Sequence, residues 1–89
     1  IGDNLKLLYE YKCQICGDNI GKKYSASVVE AHHIDYFVKS LNNDSKNQII
    51  LCPNHHRIIH NVNPFFERKN KIYIYQNEVI EGLKLNQHL

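Results

Sequence analysis

Two pairs of metal-ligand residues, Cys13-Gln14-Ile15-Cys16 and Cys52-Pro53-Asn54-His55, constrain this chain more than any other feature. Each pair has two residues between its members. Thiolate and imidazole are the ligands zinc takes in tetrahedral groups of four. Gly17 follows the first pair, where a knuckle needs backbone freedom. The second pair falls at the end of an apolar stretch and the start of a helical one. The four residues predict a structural zinc site that closes the segment from residue 17 to 51. Buried thiols with an unrelated histidine would not give two matched pairs. A redox Cys-x-x-Cys lacks a thioredoxin-like order of elements around it.

The chain has 89 residues, enough for one small domain. Domains below roughly 70–80 residues usually need a metal, disulfides or a partner, and this one is only slightly larger. Three cysteines cannot all close into disulfides, and together with the knuckle spacing they predict a reducing, cytoplasmic compartment. A net charge of +2 does not by itself announce a nucleic-acid partner, so any such claim must come from local sites. No apolar run approaches 18 residues and no signal-peptide pattern is present, which predicts no membrane partner. The chain begins at Ile1 rather than Met, which leads us to expect a fragment of a longer protein with a specificity or regulatory domain elsewhere.

Residues 3–12 read as a helix, capped by Asp3 or Asn4, with Leu5, Leu8 and Tyr9 on one face. Residues 17–25 read as a loop or hairpin. The stretch 27–34 reads as a strand, 39–47 as a polar loop and 48–51 as a short apolar strand. Pro53 suits a first helical turn, a helix runs from Asn54 to about Asn61, and Asn63-Pro64 ends it. Residues 71–75 and 79–85 read as a hairpin about Gln76-Asn77, its second strand interrupted near Gly82. Tyr73 and Tyr75 are expected in ordinary strand packing or exposure. The order is helix, knuckle, strand, loop, strand, helix, hairpin.

Five of the six histidines fall in two tight groups, His32-His33 and His55-His56 with His60. His55 and His56 are adjacent, and either can be drawn as the fourth zinc ligand. Helical spacing separates them: His56 and His60 are four apart and share a face, whereas the residue four beyond His55 is Ile59. His55 therefore goes with the cysteines. Adjacent strand residues point to opposite sides, so one of His32 and His33 can bind a metal with His56 and His60 while the other faces substrate. Three protein ligands leave positions open for water and a phosphate oxygen, as catalytic metal sites do. A histidine outside the ligand set can take a proton from water near neutral pH.

Glu30-Ala31-His32-His33-Ile34, then Asn47-Gln48-Ile49-Ile50-Leu51-Cys52-Pro53-Asn54-His55-His56, then His60, resembles the HNH endonucleases of ββα-metal fold. The resemblance covers residues 13–60. It implies an α+β fold: a small ββα-metal nuclease domain with an N-terminal helix, a structural zinc knuckle and a C-terminal β-hairpin. On that reading residues 1–89 are one HNH domain, with its core motif at 13–60 and an extension at 65–89. The resemblance further implies that His33 is the general base and that His32, His56 and His60 hold the catalytic ion. Asn47 would tie down the loop and help orient the base. Histidine rather than aspartate at residue 32 is similar to the colicin nucleases. Many members carry cysteine where His55 stands here, and proline soon after the His pair where this chain has Asp35-Tyr36-Phe37.

The implied reaction is hydrolysis of DNA phosphodiesters, leaving a 5′-phosphate and a 3′-hydroxyl. The cofactors implied are a structural Zn2+ and a catalytic Mg2+, Mn2+, Ni2+ or Zn2+, with three imidazoles favouring a transition metal over magnesium. Restriction or anti-phage defence is the setting the resemblance suggests, and cutting both strands would favour a homodimer. Arg57, Arg68, Lys69 and Lys71 are candidate phosphate contacts or solvated surface charges. A catalytically inactive zinc-ribbon module that binds nucleic acid is the alternative; it leaves four histidines without a task. A zinc protease would need glutamate after the first histidine of the helical pair, where Arg57 stands. The His-x-Glu and Pro-Cys-x-x-Cys of nucleobase deaminases are absent.

Overall fold

Strand β2 (Gln48–Leu51) is buried at all four positions, and the rest of the domain is arranged about it. The structure, a computed structural model, describes residues 2–35 and 44–89. Successive strand residues point to opposite faces, so a continuous apolar run needs cover on both sides. Ile49 and Leu51 join one core cluster with Cys13, Ile15, Cys52, Ile59, Phe66 and Tyr73. Ile50 joins a second with Leu5, Tyr9 and Val29. β2 pairs antiparallel with β1 (Glu30–His33), His32 opposite Ile49 and His33 opposite Gln48. These strands and the following helix α2 (Pro53–Val62) give the ββα order.

The other edge of β2 is met by Gln14, from inside the cysteine knuckle. Its N–H donates to the Ile50 carbonyl at 2.8 Å and its Oε1 accepts from the Ile50 N–H at 2.8 Å. Its own carbonyl accepts from Lys84 and Leu85 N–H groups. This side chain is fully buried because its polar groups stand in for missing ladder bonds.

α2 begins where Pro53 predicts, at its first turn, with Cys52 as N-cap, and ends at Asn63, which is left-handed at φ 48°. The first helix is shorter than expected. α1 spans Gly2–Leu8, because Glu10 and Tyr11 turn left-handed at φ 55° and 59° and send the chain back toward the knuckle. Asp3 and Asn4 consequently lie within its first turn. β1 is likewise shorter than the expected 27–34. Residues 22–24 of the expected loop form a 3-10 turn, as do Ser45–Asn47. Residues 39–43 of the expected polar loop lie outside the described residues.

The C-terminal segment forms a three-stranded sheet in which β3 (Phe65–Glu67) adds to the expected hairpin of β4 (Ile72–Ile74) and β5 (Ile80–Gly82). Phe66 and Tyr73 pair across the sheet and pack with ring centroids 4.8 Å apart, facing the core. The expected second strand stops at Gly82, since Lys84 and Leu85 bond instead to Gln14. All three cysteines are free thiols. Among the described residues no helix is long and apolar enough to cross a membrane.

Candidate active site and metal centres

The two cysteine-bearing segments meet at the N-terminus of α2. Cys13, Cys16, Cys52 and His55 each bring one ligand atom within 4.8 Å of the others. Gly17, at φ 78°, closes the knuckle turn and its N–H donates to the Cys13 carbonyl at 2.8 Å. Sγ of Cys52 lies 3.2 Å and Sγ of Cys13 3.8 Å from His55 Nδ1, and Cys16 Sγ is 4.0 Å from Cys52 Sγ. Tetrahedral zinc with ordinary bond lengths separates its ligand atoms by roughly 3.5–3.8 Å. Both the donor set and its spacing therefore fit a metal ion. Burial, above all, pushes the Cys16 thiol up from its ordinary pKa. A cation at the centre reverses that preference by stabilising the thiolate.

His55 offers Nδ1 to the sulfurs, and its Nε2 stands 3.6 Å from Glu81 Oε2 on β5. Tyr75 donates its hydroxyl to the other Glu81 oxygen at 2.8 Å. The tyrosine pKa is raised, by burial first and then by this carboxylate. A carboxylate behind a ligating imidazole fixes its orientation and raises its basicity, and losing one typically costs about 10–100-fold in metal affinity. Glu81→Gln should therefore weaken zinc binding by about that factor in a chelator competition, with Tyr75→Phe having a smaller effect in the same direction. Unchanged affinity in Glu81→Gln would show that the carboxylate is only a surface neighbour.

The second centre joins β1 to α2. His32, His56 and His60 bring ligand atoms within 4.8 Å of one another. The His56 and His60 Nε2 atoms are 3.0 Å apart, the spacing of two imidazoles about 2.0–2.1 Å from one ion at near-right angles. The ring of His32 lies edge-on to both, with centroids 5.4 Å and 5.0 Å away. His32 is buried, His56 half-buried and His60 exposed, so the group is closed toward the core and open outward. The opening is a cleft of about 370 Å³ lined by Glu30, Pro53, His56, Arg57, His60 and Asn61. A larger groove of about 440 Å³, between the outer face of α2 and the β4–β5 turn, contains no histidine.

Glu30 Oε2 contacts His56 Nδ1, which turns Nε2 of that ring toward the cluster. Burial, followed by the neighbouring His60, His56 and His33, lowers the His32 pKa to about 4. Burial disfavours the imidazolium, so His32 stays neutral, and able to ligate, from neutral pH down to that value. Between about pH 6.5 and 4 the unfolded imidazole takes up a proton that the folded one refuses. Stability is therefore lost as pH falls through that window and regained as it rises. In protein with a zinc-loaded knuckle and no ion at the histidines, an NMR titration of His32 should have its midpoint near 4. A midpoint near 6.5 would contradict the burial.

His33 is the last residue of β1, and the pleat directs it away from the face that carries His32. Asn47 is buried at the end of its 3-10 turn. Its Oδ1 accepts from the Asp35 N–H at 2.8 Å and its Nδ2 donates to the Asp35 carbonyl at 2.9 Å. The expected phosphate contacts fall in different places. Arg57 lines the histidine cleft and is exposed. Arg68 reaches Asp35 and Asn47, Lys71 Nζ donates to the Arg68 carbonyl at 2.6 Å, and Lys69 is exposed in the turn between β3 and β4.

Sequence reasoning missed Glu30, Glu81 and Tyr75. Strand alternation placed Glu30 on the His32 face, and that signal was available. The contact between Glu81 and His55 depends on how the C-terminal sheet packs against α2, which no local pattern encodes.

The family model for HNH endonuclease matches residues 13–62, more than half of the chain. The chain belongs to the HNH endonuclease family. No curated protein and no solved structure matches it. HNH nucleases act on nucleic acid with divalent metals, and both clusters lie inside the matched segment.

Proposed function

We propose that this chain is a metal-dependent DNA endonuclease with two metal centres of different purpose. Cys13, Cys16, Cys52 and His55 hold a structural zinc. His32, His56 and His60 hold the catalytic divalent cation. The observation that carries this reading is the convergence of three imidazoles, from a strand and a helix, on an open cleft inside an HNH segment. When bound, the cation supplies positive charge to the scissile phosphate and to the departing 3′ oxygen. Three imidazoles favour Mn2+, Ni2+ or Zn2+ over Mg2+ on ligand softness.

His33 takes a proton from water as that water attacks phosphorus in line, which leaves a 5′-phosphate and a 3′-hydroxyl. Asn47 fixes the backbone just beyond His33 through its two bonds to Asp35. Glu30 holds His56 in the tautomer whose Nε2 faces the cleft. Arg57, which lines the cleft, meets a phosphate on the strand being cut. A role in restriction or anti-phage defence, action as a homodimer on two strands, and a specificity domain elsewhere in the protein are the setting we infer from family membership.

Plasmid cleavage with a panel of divalent ions tests the reading. Supercoiled DNA should be nicked and linearised with at least one transition metal, and His60→Ala should lose at least about 100-fold. Equal binding of DNA by both proteins with no cleavage by either would leave a nucleic-acid-binding module.

A further inference from the structure

His33 stands at the last position of a four-residue strand, where a two-stranded ladder has least support. The chain beyond it is held by Asn47. The Ile34 N–H donates to the Asn47 carbonyl at 2.8 Å, and Asp35 makes its two bonds to the Asn47 side chain. Arg68 reaches the same place from the turn after β3, outside the segment matched by the family model. Its Nη2 donates to Asp35 Oδ2 at 3.0 Å and to Asn47 Oδ1 at 3.4 Å, and its Nη1 donates to the Lys46 carbonyl at 3.1 Å. One guanidinium thus grips both segments just past the open end of the β1–β2 ladder.

The fork is itself held from behind. Lys71 Nζ donates to the Arg68 carbonyl at 2.6 Å, the Asn70 N–H donates to Glu67 Oε2 at 2.6 Å, and Phe66, two residues earlier, is buried against Tyr73. We infer that Arg68 is a positioning residue: through Asp35, Asn47 and Lys46 it lets the C-terminal sheet fix the end of β1 from which His33 projects. The inference rests on the nuclease reading for its effect on rate, and on the hydrogen bonds alone for the clamp. A planar fork that serves three acceptors at once is a task an ammonium cannot copy. Displacing a catalytic group by about 1 Å can cost on the order of 10²-fold in rate.

The test compares wild type with Arg68→Gln and Arg68→Lys in the zinc-loaded chain, after circular dichroism shows all three folded. Three quantities are measured: the single-turnover cleavage rate at saturating DNA, the DNA dissociation constant across a salt series, and hydrogen exchange at the Asp35 amide. Both variants should cleave about 10–100-fold more slowly, bind DNA with unchanged affinity and salt slope, and exchange the Asp35 amide faster. Adding Asp35→Asn to Arg68→Gln should slow cleavage little further, because the two share one interaction. Weaker DNA binding with a salt slope reduced by about one, at an unchanged single-turnover rate, would make Arg68 a phosphate contact and overturn the inference. So would no change in any of the three. A wild-type chain that cleaves nothing would defeat the nuclease reading instead. The exchange arm would then decide the clamp by itself, with unchanged protection in Arg68→Gln counting against it.

Discussion

Removing the zinc proposed for the Cys13, Cys16, Cys52 and His55 cluster should unfold the domain. Structural zinc contributes apparent binding free energy on the order of 10 kcal/mol, comparable with the whole stability of an ordinary domain, about 5–15 kcal/mol. The reason is visible in the packing. Cys13 and Cys52 are members of the larger core cluster, so the side chains proposed as zinc ligands are also part of the core. Without the cation, Cys16 reverts to a half-buried thiol that burial holds protonated, and the link from the knuckle to α2 is lost. Treatment with a strong chelator should abolish the helical circular dichroism signal, and adding back zinc should restore it. Cys52→Ala, which also removes the N-cap of α2, should fail to fold under conditions where wild type does. A chelated chain that keeps its cooperative thermal transition would show that the core alone suffices.

His33→Ala should reduce cleavage by about 10²–10⁴-fold while leaving the fold and both metal centres in place. His33 is half-buried at a strand end, outside both ligand groups, so its removal opens no cavity in either core cluster. His32→Ala differs in kind. His32 is 3 % exposed and edges against His56 and His60, so that substitution removes a proposed ligand and leaves a void beneath the site. Comparing the two separates proton transfer from ion binding: His33→Ala keeps metal affinity and loses rate, whereas His32→Ala loses both. Cleavage by His33→Ala at the wild-type rate would remove that residue from the mechanism.

The centre of the fold was legible because its signals are local. Gln48–Leu51 reads as a short apolar strand, Pro53 marks the first turn of α2, and Asn63-Pro64 marks its end. The family segment was legible as a resemblance, carried by residues 30–34, 47–56 and His60, to the HNH endonucleases whose model matches residues 13–62. The ends of the chain were less legible. Tyr9 continues the apolar face of α1, so the periodicity extends past Leu8, but the left-handed turn at Glu10 and Tyr11 is imposed by the need to bring Cys13 back beside β2. Phe65–Glu67 is too short a run to read as a strand without β4 to pair with it. Residues 83–85 carry a strand-like pattern, yet Lys84 and Leu85 are claimed by Gln14, some seventy positions away in sequence. Contacts of that kind, including Arg68 with Asp35 and Glu81 with His55, arise from tertiary packing and have no local signature.

A metal titration of zinc-loaded protein with Mn2+ or Ni2+, followed by calorimetry and, in the same samples, by DNA cleavage, decides whether the three histidines form a separate catalytic centre. Wild type should bind one further ion per chain, a His56→Ala/His60→Ala variant that is still folded should bind none, and cleavage should rise with occupancy of that second site. Full cleavage by the double variant, or cleavage that is complete with only the cysteine site filled, would contradict a catalytic centre at these histidines.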